Sequence, residues 1–460
     1  MEIILSFSSL CILLLAGKAL RVKVGFLRRL YLPAAVIGGL LGLLILQTSS
    51  GFIPSSCTAG WSKLPGFLIN IVFAALFLGV NIPSVPTIWK KAGPQLAYGQ
   101  IVAWGQYVVG LGVTMLILTP LFLVPSFFGV IIPVGFEGGH GTAAGLKATF
   151  DLLGWPQGVD YSLAAATAGI ISAIVVGMVL INWAVRNNFT QKLKKEEYSS
   201  GKNLDGIYKV DQRPPAGYQT VLPSSLDSLS FHIAIIGLAV FVGYFLKCLL
   251  VNMEPFFPLL AEKKILQAFP VFPLCMVGGV IIELFFSRII KRDVIDRMLI
   301  QRISGAALDF LVVAAIAMIN LPVIMKLILP FSIIIIAAIL WNVFCVVYLA
   351  RRFLPDAWFE RAIVELGQSM GVTATGILLL RVVDPDSETP AYYAFGYKQL
   401  LHEPFLGGGI WTSIAVPLVI ISGPRVVFFI SLGAVLAWTV VWWIFFRKSI
   451  KKERDSVGEC

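Results

Sequence analysis

The sequence contains few charged residues. Only 13% of its 460 residues are Asp, Glu, Lys or Arg, whereas soluble domains carry roughly 25%. Hydrophobic residues make up 58% of the chain, and they form runs of the length that crosses a lipid bilayer as a helix. The composition therefore excludes an ordinary soluble domain and predicts an integral membrane protein made of spanning helices.

Several patterns that mark catalytic or metal sites are also absent. The sequence has no His-Glu-x-x-His motif, no aspartate-rich diphosphate motif and no P-loop. Its six cysteines lack the paired spacing of a zinc site or a disulfide framework. These absences disfavour an intramembrane enzyme, which is the alternative from another functional class, and they exclude ATP use through a P-loop.

The basic residues lie in short segments between apolar runs. A net charge of +11 is compatible with nucleic-acid binding, but this clustering is typical of the cytoplasmic loops of membrane proteins. We therefore predict no nucleic-acid partner, a multi-pass protein in the membrane, an outside N-terminus and a cytoplasmic C-terminus. Glu2 stands where a cleaved signal has basic residues, so the first helix is expected to be retained.

Charge placement predicts the direction of each apolar run. Two segments, 120–158 and 355–400, must begin and end on the same side and are apolar enough to enter the membrane, so we predict re-entrant hairpins there. The predicted spans are residues 3–20, 31–47, 66–82, 95–119, 161–185, 231–251, 269–287, 304–320, 327–349, 404–422 and 425–446.

The two halves of the sequence share features in the same order. The segment 33–39, with Pro33 before a Gly-Gly pair, recurs as 273–279, and Asn-x-Pro at 81–83 recurs at 320–322. Five spans and a hairpin precede the second half, which therefore starts from the opposite side. This inverted repeat is typical of secondary transporters, whereas a passive channel would be expected to form a continuous pore.

The predicted fold is an all-α polytopic membrane protein with about 11 spans. It contains two inverted repeats, each of five transmembrane helices plus a re-entrant hairpin, and an extra C-terminal helix. The predicted divisions are a first repeat at 1–185, a polar cytoplasmic linker at 186–230, a second repeat at 231–423, and an added helix with a basic tail at 424–460.

Two glycine-rich polar segments, 137–145 and 365–376, interrupt the apolar sequence at membrane depth. Non-helical backbone is tolerated there only when it is buried in protein or lines a wet cavity. Glycines allow tight turns, and a helix that starts after such a turn offers N–H donors and positive charge to a carboxylate. The predicted substrate-binding residues are Gly138, Gly139, His140, Gly141, Thr142, Gln368, Ser369, Gly371, Thr373, Thr375 and Arg381.

Oxygen atoms at the same two turns are the ligands that a sodium ion requires. The predicted sodium ligands are Glu137, Thr142, Ser369, Asn81 and Asn320.

Each of these residues also has a structural interpretation. Arg381 is either a clamp for a substrate carboxylate or a helix-end residue at the cytoplasmic mouth. His140 and Glu137 are either ligand or proton sites or residues that hold the turn, with Glu137 acting as a cap. Asn81 and Asn320 either line the cavity or cap helix ends.

The Gly-Gly-His-Gly-Thr turn at 138–142, the second loop at 365–376 and the segment 33–39 resemble the sodium/glutamate symporter family. The resemblance follows the order of elements over nearly the whole chain and is most specific at the first loop. It implies sodium-driven uptake of L-glutamate across a bacterial inner membrane, with sodium as the coupling ion and no other cofactor. The family is similar in fold to the sodium-coupled 2-hydroxycarboxylate transporters, an analogy that implies a homodimer and an elevator-type movement.

The sequence also departs from better-known members of that family. Glu137 stands where a serine is common, the second loop reads Gln-Ser-Met at 368–370, and an eleventh span is predicted. These departures leave open another amino acid or a di- or tricarboxylate as substrate, and proton coupling through His140 or Glu137.

Overall fold

All regular structure in the described part of the chain is helical. The computed structural model describes residues 2–25, 27, 32–48, 55–80, 85–192, 213, 215–256, 265–290, 294–384, 388–448 and 450. Within these residues there is no strand, and the prediction of an all-α protein is confirmed.

Among the described residues, the first half contains eight helices. They are α1 (Glu2–Lys23), α2 (Ala34–Thr48), α3 (Ser55–Ala74), α4 (Val85–Val113), α5 (Ile131–Phe136), α6 (Gly139–Gly145), α7 (Lys147–Leu152) and α8 (Gln157–Arg186). Helix α4 continues through a π-helical turn, Thr114–Leu118, into Thr119–Phe122. A 3-10 turn at Phe128–Val130 precedes α5.

The described part of the second half contains ten further helices besides short turns. They are α9 (Ser228–Met253), α10 (Phe272–Leu284), α11 (Arg297–Ala317), α12 (Leu321–Lys326), α13 (Ile328–Phe344), α14 (Trp358–Ser369), α15 (Thr373–Val383), α16 (Ala391–His402), α17 (Ile410–Ile421) and α18 (Pro424–Phe445). The carboxylates of Asp227 and Asp296 accept hydrogen bonds from backbone N–H groups at the starts of α9 and α11, as N-cap residues do.

Eight of the described helices are long and apolar enough to cross a membrane individually. They are α1, α4, α8, α9, α10, α11, α13 and α18, where α4, α9, α10 and α13 include their terminal turns. The prediction of eleven spans counted α2, α3 and α17 as well. Two of these three, α2 and α17, are apolar but shorter than a full span.

The predicted start of the third span, at residue 66, is wrong, because α3 already begins at Ser55. Trp61 is completely buried in this helix, and its indole Nε1 donates a hydrogen bond to the Ser6 carbonyl oxygen at 3.1 Å. A buried indole N–H needs such a partner. The contact therefore fixes the first turns of α3 against α1.

The predicted span 404–422 is also wrong at its start, because α17 begins only at Ile410. A second helix, α16, precedes it, and residues 403–409 connect the two without helical structure. Pro404 lacks a backbone N–H, and Gly408 has a φ of +90°, which only glycine adopts readily. The sequence Glu-Pro-Phe-Leu-Gly-Gly-Gly therefore breaks what would otherwise be one continuous helix.

The helices pack as two bodies. Helices α1–α3 and α9–α11, three from each half, pack mainly against one another and form the six-helix body. The turn body consists of α4–α8 and α13–α18, and α4 is at its centre, in contact with α13, α16 and α18. Helix α6 makes the main contact between the two bodies, through α3 and α11.

Two Gly-Gly pairs allow the helices of the six-helix body to approach closely. A Cβ on Gly38 would lie 2.5 Å from the Leu13 carbonyl oxygen of α1, and a Cβ on Gly278 would overlap the Ala239 carbonyl oxygen of α9. The next glycines, Gly39 and Gly279, pack against α11 and α3 respectively. Each pair therefore contacts the preceding helix of its own half and the third helix of the other half.

Candidate functional site

The two glycine-rich turns are in direct contact. Glu137 follows α5, and its buried carboxylate accepts a hydrogen bond from Gln368 Nε2, near the end of α14, at 2.9 Å. Gln106 of α4 lies between the turns: its Nε2 donates to the Ser369 carbonyl oxygen at 2.5 Å and to Glu137 Oε1 at 3.4 Å. The structure thus brings the first predicted segment to the second.

The first turn needs glycine for its backbone path. Gly139 has a φ of +67°, in the left-handed region that side chains disfavour. A Cβ on it would lie 3.3 Å from Val372 Cγ1 and 3.6 Å from the Gly371 carbonyl oxygen. A Cβ on Gly138 would lie 2.6 Å from the Val134 carbonyl oxygen. Glycines at 138 and 139 therefore allow the two turns to meet.

Thr142 has a hydroxyl that points at the break between α16 and α17. Its Oγ1 is buried and has no hydrogen-bond partner among the described residues. A Cβ on Gly408 would overlap this oxygen and lie 3.1 Å from Gly138 Cα. Because buried hydroxyls are normally paired, Thr142 Oγ1 is a candidate ligand for an ion or a substrate group.

The second turn is held by side-chain hydrogen bonds. Ser369 Oγ donates to Asn342 Oδ1 of α13 at 2.8 Å. Thr373 Oγ1, at the start of α15, accepts from Gln399 Nε2 at 2.7 Å and lies 3.4 Å from Glu403 Oε2, to which it donates. Polar groups of α13 and α16 therefore surround this turn.

A buried ion pair lies beside the second turn. Lys398 of α16 and Glu365 of α14 are both fully buried, and Lys398 Nζ lies 2.6 Å from Glu365 Oε1. The ammonium also donates to Gln368 Oε1 at 3.1 Å and to Gln399 Oε1 at 2.9 Å. Gln95 of α4 donates to Glu365 Oε2 at 2.8 Å, so both carboxylate oxygens are bonded.

The end of α16 reaches the first turn. His402 Nε2 lies 3.2 Å from Glu137 Oε2, and His402 Nδ1 lies 3.4 Å from Gln100 Nε2 of α4. Lys398, His402 and Glu403 are not among the site residues predicted from the sequence. The signal that could have found them is a run of ionisable residues directly before Pro404 and three glycines, which together indicate a broken helix.

Other predicted residues lie outside this cluster. Arg381 is exposed in the last turn of α15. His140 is buried, but its Nε2 lies 2.9 Å from Thr167 Oγ1 of α8. Asn320 caps α12 through the Val323 N–H. Asn81 lies outside the described residues.

The remaining predicted residues lie close to a turn. Gly141 faces the six-helix body, since a Cβ on it would lie 2.6 Å from Ile69 Cδ1. Thr375 is buried, and a Cβ on Gly371 would lie 3.1 Å from its Oγ1. Thr375 therefore packs closely against the second turn.

A cavity of about 830 Å³ lies between the two bodies. Its walls include Asn70 and Phe272 from the six-helix body, and Gly145, Lys147 and Asp160 from the turn body. The buried polar cluster around Glu137 and Lys398 is not part of the described walls. A molecule in this cavity would therefore touch α6 without reaching the meeting point of the turns.

Residues 367–371 read Gly-Gln-Ser-Met-Gly and so have the Gly-x-Ser-x-Gly spacing of a hydrolase nucleophile. That motif requires a sharp strand-to-helix turn that exposes the serine. Here the serine ends helix α14, is fully buried, and donates its hydrogen bond to Asn342. The local structure therefore does not support a nucleophilic serine.

Comparisons with known proteins find the same family along most of the chain. Residues 1–384 match the family model described as sodium/glutamate symporter. The sodium/glutamate symporters of Escherichia coli (strain K12) and Shigella flexneri are each 28% identical over 187 residues, which are 38% of this chain. The matched part spans 43% of each relative's length. Since the family model covers well over half of the sequence, the chain belongs to the sodium/glutamate symporter family.

Proposed function

We propose that this protein is a secondary transporter that carries L-glutamate into the cell together with sodium. The observation that carries the proposal is the direct contact between the two glycine-rich turns around buried Glu137. Family membership and the names of the two relatives support sodium as the coupling ion and glutamate as the substrate. A bacterial inner-membrane location follows from the same proposal.

The proposed binding site lies where the turns and the break after α16 meet. The substrate is held by residues of the first turn, by Gln368 and by Thr373, and its carboxylate faces the uncapped start of α15. The proposed sodium ligands are Glu137, Thr142 and Ser369. Arg381 is not included, because its side chain is exposed in the last turn of α15.

The two turns are proposed to be the tips of re-entrant hairpins in inverted repeats. The matching positions of the Gly-Gly pairs in the six-helix body support the repeat, and the burial of both turns supports membrane depth. In this proposal α16 and α17 together are the counterpart of α8. Membrane-impermeant thiol reagents, applied from each side to single cysteines at positions 140 and 370, test this topology.

An elevator-type movement of the turn body against the six-helix body is proposed as the transport step. It is supported by the narrow contact between the bodies, which is made largely by α6, and by the cavity beside it. Cysteines introduced at positions 69 and 141 would join the two bodies when they form a disulfide. If the bodies move against each other during transport, this disulfide should stop uptake, and a reducing agent should restore it. The proposed homodimer is tested by mass measurement in lipid nanodiscs.

The central experiment is glutamate uptake into vesicles that contain the purified protein. An inward sodium gradient should drive accumulation, and replacing sodium by choline should remove it. Aspartate, malate and citrate, added as competitors, test the substrate class. Uptake that ignores sodium would contradict the proposed coupling, while competition by citrate but not by aspartate would move the substrate to the di- and tricarboxylates.

Arg381→Ala is expected to leave uptake close to that of the unchanged protein. Its side chain is exposed at the end of α15, so its removal should neither open a cavity nor unpair a buried group. Surface substitutions of this kind change stability by about 0.5 kcal/mol or less. Initial uptake rates at several glutamate concentrations check this, and a large rise in KM would restore Arg381 as a substrate clamp.

Proton coupling is the second candidate, and one contact favours it. His402 Nε2 lies 3.2 Å from Glu137 Oε2, so two ionisable groups share one buried position between α16 and the first turn. In this version a proton on that pair accompanies the substrate. Glutamate accumulation driven by a pH gradient in sodium-free vesicles would support it.

A further inference from the structure

Lys398 is bonded in the way that a bound cation would be. Its Nζ contacts one carboxylate oxygen, Glu365 Oε1, and two amide oxygens, Gln368 Oε1 and Gln399 Oε1. Carboxylate and amide oxygens are the ligands that hard metal cations take in proteins. The three oxygens come from α14 and α16, and the ammonium is fully buried among them.

The same ammonium organises both parts of the proposed binding site. Gln368 accepts from Lys398 and donates to Glu137. Gln399 accepts from Lys398 and donates to Thr373 Oγ1. A positive charge at this position therefore orients each amide so that its N–H group points to a turn.

A contribution to stability alone does not explain why the Lys398–Glu365 ion pair is buried. Removing two charges from water is costly, and well-packed apolar residues often serve stability as well or better. Ionisable groups at membrane depth are therefore associated with function. The space for the pair is made by Gly99 of α4, on which a Cβ would lie 2.6 Å from Glu365 Oε1.

We propose that the Lys398 ammonium is a resident cation that occupies an ion site formed by Glu365, Gln368 and Gln399. In this chain the charge is covalently attached, so the site does not bind and release an ion during transport. Without Lys398 the same oxygens would bind sodium. Lys398 and Gln399 lie beyond residues 1–384, which match the family model.

The inference rests on the proposed transport function, because it concerns how many ions are coupled to the substrate. Its test uses sodium binding instead of transport, so that the two can fail separately. Methionine is one atom shorter than lysine along the chain and apolar. Lys398→Met thus removes the charge and leaves room for one ion at the position of Nζ.

The experiment compares sodium binding to the purified unchanged protein, Lys398→Met, Lys398→Arg and the double variant Glu365→Gln/Lys398→Met. Radioactive sodium binding gives the number of ions per chain, and melting temperatures are measured in sodium chloride and in choline chloride. Lys398→Met should bind about one more sodium ion per chain than the unchanged protein, and sodium should stabilise it more strongly. The double variant, which lacks the carboxylate, and Lys398→Arg should both return to the original number.

Equal sodium binding by Lys398→Met and the unchanged protein would overturn the proposal and make the pair a structural contact. If Lys398→Met folds only when sodium is present, the proposal is supported. If it fails to fold in both salts while the double variant folds, sodium cannot replace the ammonium and the proposal is wrong. An unchanged protein that binds no sodium, together with a Lys398→Met variant that binds one ion, would contradict sodium coupling but not this inference.

Discussion

Gly408→Ala should reduce glutamate uptake by roughly 100-fold or more. Gly408 has a φ of +90°, and holding another residue in such a conformation costs about 1–3 kcal/mol. The added Cβ would also overlap Thr142 Oγ1 and lie 3.1 Å from Gly138 Cα. Each 1.36 kcal/mol corresponds to about a factor of ten in rate. The strain and the overlap, which together displace the break from the first turn, should therefore reduce the uptake rate by this amount.

Gly396→Ala is the matched control for this substitution. It lies in α16, close to the same break, and a Cβ there would meet no atom within 4 Å. Its uptake should be close to that of the unchanged protein. Thr142→Ala, combined with Gly408→Ala, should recover part of the folded yield because it removes the overlapping hydroxyl. Normal uptake by Gly408→Ala would show that the break does not approach the first turn.

The contact between the turns follows from features that a sequence displays directly. Glycine and polar residues at 137–145 and 365–376 interrupt long apolar runs, and buried non-helical backbone must find partners within the protein. The side chains that join the turns could not be predicted in the same way. Gln95 and Gln106 are isolated amides in the long helix α4, and only tertiary packing decides which of them faces Glu137 or Glu365.

The broken helix is not evident from the sequence, because its charged residues favour a different location. Lys398, His402 and Glu403 favour a surface connection when they are considered singly, since unpaired charges are costly inside a membrane. In the structure Lys398 is neutralised by Glu365, which is 33 residues away in sequence. Pairing with Glu365 removes most of the energetic cost of placing the Lys398 charge inside the membrane. A single sequence does not show which residues pair, so it favours a surface position for Lys398.

Arg381 illustrates the opposite case. Because it is the single arginine in the apolar helix Thr373–Val383, the sequence predicts a substrate-binding role for it. In the structure its side chain is exposed at the end of the helix. The distance along the chain from the turn to Arg381 exceeds two helical turns. The position of a charged residue along helix α15 therefore decides whether its side chain reaches the turn, and residue type alone does not.

Glu137→Gln should lower glutamate uptake by roughly 10- to 100-fold while the protein stays folded. The carboxylate of Glu137 accepts from Gln106 and Gln368 and lies beside His402. A glutamine has only one acceptor oxygen, so its own N–H group would face one of the two amide donors. Hydrogen bonds to a charged group contribute about 1.5–3 kcal/mol each, and at least one of them would be lost at the meeting point of the turns.

Glu388→Gln is the matched control, because it makes the same chemical change in a carboxylate that pairs with Lys192 at the surface. Exposed ion pairs contribute little to stability, so the uptake of this variant should be nearly normal. Normal uptake by Glu137→Gln would remove Glu137 from the site.

Exchange measurements then separate the roles of Glu137. If Glu137 carries a proton, its glutamine variant should still exchange internal for external glutamate, because exchange needs no net proton movement, while gradient-driven accumulation is lost. If Glu137 binds sodium, both activities should fall together and higher sodium concentrations should be needed for each. The ratio of exchange to accumulation in this one variant therefore identifies which ion the first turn binds.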